Sequence, residues 1–215
     1  MYDRRDELNG GWITDWLRGL LAGRSGNSAL DLGCGTGRVA LLLAEHFDEV
    51  RAVDLSHDMI EIARAKRPHP RVSYEQGDLA GVTGSYDLVV SIMVLHHVPD
   101  LPTTLNHIAE LVAPGGRAVV IDGAQPPTSR PMMLLRNCVV FVRDVKHSWE
   151  KMRLNSDRRW VDHLVSDRFL QPGEFVTTYS RALPGVAIEP VSRLYTAVWQ
   201  RPAPSDGTPG SPAGS

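Results

Sequence analysis

A short apolar run, Ala29-Leu30-Asp31-Leu32, meets a turn with glycine at every second position, Gly33-Cys34-Gly35-Thr36-Gly37. Arg38-Val39-Ala40 then opens an apolar stretch of helix-forming residues. Strand, glycine turn and helix in direct succession commit the chain to a βα unit with the helix N-terminus facing the turn. Without Cβ atoms, Gly33, Gly35 and Gly37 let the backbone turn with φ > 0 and let a ligand lie close to the N–H groups and the helix N-terminus. Such a unit builds a nucleotide site. The spacing is G-x-G-x-G, whereas the dinucleotide fingerprint G-x-G-x-x-G needs glycine at position 38, where this chain has Arg38. A pyrophosphate is disfavoured on that ground.

Carboxylates at the ends of the next apolar runs narrow the ligand. Glu49-Val50-Arg51-Ala52-Val53-Asp54 reads as a second strand ending in an acid, seventeen residues beyond Gly37. A βαβ unit brings such a carboxylate to both ribose hydroxyls, so Asp54 is the predicted ribose ligand. A third strand, Val72 to Glu75, leads into Gly77-Asp78-Leu79, where Asp78 is placed to accept from an adenine amino group. Asp31 faces a ligand without a phosphate, and an anion there favours a sulfonium or ammonium group. Three acids suit a cationic nucleoside.

The run from about Leu30 to Asp122 resembles the class I S-adenosylmethionine-dependent methyltransferases in their small, single-domain form. The resemblance rests on Leu30-Asp31-Leu32-Gly33-Cys34-Gly35-Thr36-Gly37, Ala52-Val53-Asp54-Leu55-Ser56, Gly77-Asp78-Leu79, Tyr86-Asp87-Leu88-Val89-Val90-Ser91, His96-His97-Val98-Pro99-Asp100 and Leu111-Val112-Ala113-Pro114-Gly115-Gly116-Arg117, in that order. It implies an α/β, Rossmann-like fold: a seven-stranded, mostly parallel sheet with helices on both faces, a helical lid insertion before the last two strands, and an antiparallel last strand. It implies S-adenosyl-L-methionine as cofactor, held by Asp31, Gly33, Cys34, Gly35, Gly37, Asp54, Leu55, Met59, Asp78, Leu79 and Ser91, with Leu55 and Met59 against adenine. As in similar enzymes, Tyr2 and Arg4 are candidates to close over the cofactor's carboxylate.

Composition agrees with one domain. The 215 residues, 42% hydrophobic and 22% charged, suffice for one sizeable core but hardly two. A net charge of −2 without a basic block argues against nucleic acid as the substrate, since phosphate contacts require a stripe of lysine and arginine. Cys34 and Cys138 give neither a disulfide framework nor metal spacing, so no metal is expected. The charged start, Met1-Tyr2-Asp3-Arg4-Arg5-Asp6-Glu7, is unlike a signal peptide, and no apolar run approaches the roughly twenty residues of a membrane span. A cytoplasmic monomer or homodimer without membrane contact is expected.

Periodicity supplies the remaining elements. Helices are predicted over Gly11 to Leu21, Val39 to His46, Asp58 to Lys66 with Ser56 or Asp58 as cap, and Leu101 to Leu111. Strands are predicted over Val50 to Asp54, Asp87 to Met93 and Arg117 to Asp122, with Pro114-Gly115-Gly116 as a loop between the last helix and its strand. The methyltransferase domain is read as 1–201, with a lid over about 123–171. Within the lid lie an apolar run, Met132 to Val145, and helices at Lys146 to Arg153 and Arg158 to Phe169. Beyond it come a helix from Pro172 to about Leu183 and two stretches, Val186 to Pro190 and Arg193 to Gln200, that resemble the family's closing strands. The stretch 202–215 is almost entirely Pro, Gly, Ser, Ala and Thr, a composition expected to be disordered.

Chemistry follows from an activated methyl group: the protein must align a nucleophile and exclude water. A hydroxyl or acidic carbon wants a general base, a role histidine fills near neutral pH. His97 and His96 follow the fourth strand at its carboxyl end, where open α/β sheets place ligands, and His163 in Trp160-Val161-Asp162-His163 is a further candidate base. Trp149, Trp160, Asp167 and Tyr179 are candidates to shape a substrate pocket. The expected reaction is methylation of a nitrogen or oxygen on a small molecule or short peptide, with a secondary metabolite favoured. The alternatives are C-methylation of a prenylated quinone-like ring, with the Met132 to Val145 run holding the prenyl tail, or a protein that binds the cofactor without transferring methyl.

Overall fold

The computed structural model describes residues 11–124, 169–191 and 194–203. Its order is α1 (Trp12–Leu21), β1 (Gly26–Leu32), α2 (Arg38–Leu43), β2 (Phe47–Asp54), α3 (His57–Lys66), β3 (Val72–Gln76), β4 (Tyr86–Ile92), α4 (Leu101–Leu111), β5 (Val112–Gly123), α5 (Pro172–Ala182), β6 (Ala187–Val191) and β7 (Leu194–Gln200). Short 3₁₀ turns at Leu79–Gly81 and Leu95–His97 sit beyond the carboxyl ends of β3 and β4. The strands form one seven-stranded sheet in the order β3-β2-β1-β4-β5-β7-β6. The first five are parallel, and β7 runs antiparallel to both β5 and β6. The chain moves outward from β1 to β3 and then returns to lay β4 on the other side of β1. Connections therefore diverge at β1 and β4 and open a crevice above their carboxyl ends.

Alternation along the strands fills two cores. Ala29, Ala52, Leu88, Val90 and Val119 face α1, α2 and α3 through Leu17, Leu43 and Ile60. Leu30, Leu32, Val53, Val89 and Val120 face α4 and α5 through Leu105, Ile108, Phe175 and Tyr179. Asp31 is paired with Ala52 and Val90, so the two-residue period puts it on the first face, within an apolar layer. Tyr179 is a core residue, its ring stacked on Phe175 at 3.9 Å, rather than a lining of an open pocket.

Several boundaries depart from the sequence reading. Helix α2 ends at Leu43 rather than His46, because β1 and β2 already pair at Gly26 and Phe47, three residues before the predicted strand start. Pro114-Gly115-Gly116 is not a loop: α4 passes directly into β5, which begins at Val112 and carries a register irregularity opposite Tyr86 and Leu88. Distant pairing holds this stretch to the end of the chain, with Gly115 in a left-handed conformation at φ 80°. Gly115 N–H donates to the Arg201 carbonyl, Arg201 N–H donates to the Gly116 carbonyl, and the Arg201 guanidinium caps carbonyls of Ala109, Glu110 and Val112 at the α4 terminus. The other elements expected within the described residues are present, with Ser56 as the cap of α3. Tyr2, Arg4, most of the predicted lid with its helices, the Met132 to Val145 run, His163, and residues 204–215 lie outside the described residues. Ala124 and Leu170 form an isolated parallel bridge, so the chain leaves β5 and returns to α5 at one place.

Candidate active site

The glycine turn is drawn over β2 by two amides, Gly33 N–H and Cys34 N–H, which both donate to the Val53 carbonyl at 2.8 and 3.0 Å. Gly33 has φ 75° and lies beneath Val94; a Cβ there would be 2.2 Å from Val94 Cγ2. Gly35 has φ 52°, but a Cβ added to it would meet none of the described residues within 4 Å. Gly37 begins α2 as its N-cap. The flank of the turn is braced by the Arg67 guanidinium, which donates to the Thr36 carbonyl at 2.8 Å. Tyr74 in turn donates its hydroxyl to the Arg67 carbonyl at 2.9 Å.

Asp54 sits across this space. Its two carboxylate oxygens accept from Gly35 N–H and from Ser56 N–H, each at 2.8 Å. A carboxylate oxygen has capacity for a second bond, so the fixed group can still receive a pair of vicinal hydroxyls. Leu55 follows it with 67% of its surface exposed, an unusual place for leucine, and Met59 stands half-buried in the first turn of α3. Asp78 is exposed, with Oδ1 accepting from Ala80 N–H at 3.1 Å, while the neighbouring Leu79 packs against the core.

Asp31 is the electrostatic anomaly. It is 1% exposed, accepts a bond from the Ala40 amide at the start of α2, and leaves Oδ2 without a partner among the described residues. Burial pushes its carboxyl up to about 7; the Ala40 amide opposes that rise and the Asp54 charge adds to it. Burial, with the charges of Asp31 and Asp54, likewise pushes the Cys34 thiol up, which keeps it protonated and unreactive. A cation beside Asp31 would reverse the cost of its ionisation.

A second cluster lies at the ends of β4 and β5. His96 and His97 both fall in the 3₁₀ turn after β4, and their environments are opposite: His96 is buried and His97 exposed. His96 Nδ1 is 2.6 Å from Asp122 Oδ1, with both side chains 4% exposed, and His96 N–H donates to Asp122 Oδ2 at 2.9 Å. Gly123 N–H adds a third bond to this carboxylate at 2.7 Å. Met93, immediately before the turn, adopts φ 57° without being glycine, and its N–H donates to the Ile121 carbonyl. Strained backbone of this kind costs on the order of 1–3 kcal/mol and clusters at functional sites. Ser91 is buried in β4 with its Oγ unpartnered among the described residues, but its register with Leu32 puts it on the sheet face opposite Asp31.

The structure thus gathers Asp31, the glycine turn, Asp54, Leu55 and Met59 at one edge, with Asp78 and Leu79 at the adjoining strand end. It buries His96 while leaving the neighbouring His97 exposed, and places Ser91 apart from Asp31. Sequence reasoning missed Asp122 and Met93 as site residues. The Asp122 signal was present, since Val119-Val120-Ile121-Asp122 ends an apolar strand in an acid as Ala52-Val53-Asp54 does. Among the described residues no group of His, Cys, Asp and Glu is placed to hold a metal, and no helix is long and apolar enough to cross a membrane.

A family model described as a methyltransferase domain matches residues 4–171. The chain belongs to the methyltransferase-domain family. Among its curated relatives, a trans-aconitate 2-methyltransferase of Deinococcus radiodurans is 35% identical over 101 residues, 46% of this chain and 39% of that protein. A 2-phytyl-1,4-naphtoquinone methyltransferase of Thermosynechococcus vestitus is 34% identical over 144 residues, 60% of this chain and 62% of that protein. The chain therefore matches less than two thirds of the length of either. A solved S-adenosylmethionine-dependent methyltransferase from Mesorhizobium loti has the same fold, with a TM-score of 0.63 at 22% identity over 90% of this chain and all of that one. Within this methyltransferase fold the glycine turn and Asp54 occupy the crevice beside β1, and the His96–Asp122 pair occupies the far side of the switch point.

Proposed function

We propose that the protein transfers a methyl group from S-adenosyl-L-methionine to a nitrogen or oxygen of a small molecule or short peptide in secondary metabolism. The observation that carries this reading is the buried Asp31 Oδ2, unpartnered among the described residues, beside the glycine turn in a chain of the methyltransferase-domain family. When bound, the cofactor supplies a methyl already activated on a positively charged sulfur. Asp54, fixed by Gly35 and Ser56, holds the ribose hydroxyls. Asp78 takes the adenine amino group, and Leu55 and Met59 flank the ring. Asp31 supplies the negative field for the cationic part and loses its ionisation penalty in doing so. Gly33, Cys34, Gly35 and Gly37 form the backbone cradle, with Leu79 beside it; Ser91, on the sheet face opposite Asp31, stands apart from it. His96, His97 and His163 are the candidate bases.

A net charge of −2 supports a small diffusible substrate over nucleic acid, and the reading keeps the protein in the cytoplasm as a monomer or homodimer. The relative named for a phytyl naphthoquinone favours one second reading, methylation at carbon of a prenylated quinone-like ring. Calorimetric titration with S-adenosylmethionine and S-adenosylhomocysteine tests the cofactor, and mass spectrometry of a metabolite and peptide library incubated with labelled cofactor tests the transfer. A mass gain of one methylene on a nitrogen or oxygen compound is expected. Binding with no methylated product would convert the protein into a cofactor-binding module, and absence of binding would remove the assignments of Asp54 and the glycine turn.

A further inference from the structure

We propose that Arg67 and Tyr74 are positioning residues that set cofactor affinity from the flank of the crevice, by fixing the Thr36–Gly37 end of the glycine turn against the end of α3 and the edge strand β3. This rests on the methyl-transfer reading above and deepens it, assigning what keeps the cofactor turn in its binding shape.

The turn requires such support. Gly33, Gly35 and Gly37 have φ of 75°, 52° and 82°, and glycine loses more backbone freedom on ordering than any other residue. The first half of the turn is tied to β2, through Gly33 N–H and Cys34 N–H on the Val53 carbonyl and Gly35 N–H on Asp54. The second half is held from the other side. The Arg67 guanidinium, 31 residues away in sequence, donates to the Thr36 carbonyl at 2.8 Å. The Tyr74 hydroxyl donates to the Arg67 carbonyl at 2.9 Å, and a Cβ at Gly37 would be 2.6 Å from that hydroxyl. One tyrosine thus meets the turn directly at Gly37 and through Arg67 at Thr36.

Local sequence places both side chains. Pro68 disfavours helical backbone at the residue before it, so α3 ends on Arg67, which has φ −135° and whose N–H still donates to the Ala63 carbonyl. Tyr74, paired with Ala52 of β2, is buried with it on the sheet face that α2 and α3 cover. Arg64, bonded to Glu61 within α3, donates to the Tyr74 carbonyl at 2.6 Å and pins α3 to β3. Burial pushes the Tyr74 hydroxyl up to about 12, with Cys34 and Asp31 adding to the rise and Arg67 opposing it, so it remains a donor at neutral pH.

The consequence falls on the ligand. Helix α2 begins at Gly37, which has no side chain to cap it, and the Ala40 amide in its first turn donates to Asp31 instead. A shift of Thr36 and Gly37 therefore tilts the start of α2 under Asp31 and moves the Gly35 amide relative to Asp54. The brace bears on both acids assigned to the cofactor. Arg67 and Thr36 are only half-buried, so the carbonyl can turn to water when the guanidinium is lost, and stability changes less than affinity.

The test uses the full chain with and without S-adenosylhomocysteine. Arg67→Ala is expected to weaken binding about tenfold in calorimetry, the scale of one charge-assisted hydrogen bond, while the cofactor-free protein melts within about 4 °C of the parent. Arg67→Lys keeps a cationic donor and is expected to restore affinity to within about threefold of the parent. Tyr74→Phe keeps the ring, removes only the hydroxyl and is expected to cost about threefold; combined with Arg67→Ala it should add nothing, since both act through one chain of bonds. Should Arg67→Ala fail to fold, Tyr74→Phe carries the test at its smaller magnitude. Amide hydrogen exchange gives a reading without ligand: in Arg67→Ala the Gly37 amide, bonded to the Cys34 carbonyl, should exchange about tenfold faster while the Gly33 and Cys34 amides keep the parental rate. Parental affinity in Arg67→Ala, a loss that Arg67→Lys does not repair, additive losses in the double variant, or exchange that quickens equally along the whole turn would each overturn the inference. A parent protein that binds neither S-adenosylmethionine nor S-adenosylhomocysteine would instead remove the methyl-transfer reading, and this inference with it.

Discussion

The two halves of the crevice are built on opposite principles. Beside β1 and β2 the site rests on the glycine backbone and, among the described residues, is left incomplete: nothing approaches a Cβ at Gly35, Leu55 is exposed, and the buried Asp31 has an oxygen without a partner. Beside β4 and β5 it is made of side chains and already saturated, with Asp122 receiving three hydrogen bonds and His96 clamped under Phe169. An incomplete half stores part of its stabilisation in the ligand that will fill it, whereas a saturated half is organised before any ligand arrives. The contrast is one between a surface left open for a ligand and a polar pair already organised within the fold.

The sharpest way to break the comparison is within the glycine turn itself. Gly33→Val places a branched side chain at φ 75° where even its Cβ would be 2.2 Å from Val94. Strain and overpacking together are expected to cost several kcal/mol, roughly 3–6, and to lower the melting temperature of the cofactor-free protein sharply. Gly35→Val carries positive-φ strain of about 1–3 kcal/mol but no clash among the described residues, so it is expected to melt well above Gly33→Val, yet to abolish S-adenosylhomocysteine binding in calorimetry if that space receives the ligand. If both variants melt alike, the turn is not divided into a structural and a ligand-facing glycine.

Asp31 gives the next largest effect, through pH. Its carboxyl ionises near 3.8 in the unfolded chain but only near 7 in the folded one. Between those values the unfolded state loses its proton while the folded state keeps it, so folding weakens as pH rises from about 4 to about 7 and remains weaker above. The penalty is bounded at roughly 4 kcal/mol. Asp31→Asn can keep the Ala40 bond and removes the charge. The cofactor-free variant should therefore melt higher than the parent at pH 8 and the same at pH 4, while binding S-adenosylmethionine more weakly. Parallel melting curves across that range would show that Asp31 stores no such penalty.

Asp54→Ala comes third. Loss of a charged acceptor for ribose is expected to weaken S-adenosylhomocysteine binding by about 1.5–3 kcal/mol, a factor of roughly 10 to 150. Unchanged affinity would remove the ribose assignment. Stability should fall by less, since Gly35 and Ser56 amides can turn to water at this half-exposed edge.

How much of each half could be read in the sequence follows from how each is built. The cofactor half is local: strand, glycines, helix start and strand-terminal acids occupy contiguous residues, so Asp31, Gly35 and Asp54 were legible from spacing alone. The parallel α/β sheet was legible for the same reason, while the seven strands and the antiparallel last strand came from the resemblance and the strand order from the structure. The His96–Asp122 pair spans 26 residues and depends on the register of β4 with β5, which no local pattern encodes. The sequence presented two adjacent histidines as equivalent, and only the burial of His96 and exposure of His97 separate them. The Pro114-Gly115-Gly116 stretch misled for a related reason: its partner, Arg201, is supplied by the far end of the chain.

Asp78 is the smallest and most discriminating case. It is exposed and its Oδ1 already accepts from Ala80, so removing it leaves no buried group unpaired. An exposed, neutral-donor hydrogen bond contributes only about 0.5–1.5 kcal/mol. Asp78→Ala should therefore weaken S-adenosylhomocysteine binding by roughly 2- to 12-fold. Asp78→Asn should recover most of that loss, because the amide oxygen still accepts. The decisive comparison is with an analogue whose adenine amino group is replaced by hydrogen: if Asp78 reads that group, the parent protein loses affinity for the analogue and Asp78→Ala loses no more. Should both proteins discriminate equally, base recognition belongs to the backbone around Leu79, and the incomplete half of the crevice relies on side chains even less than its carboxylates suggest.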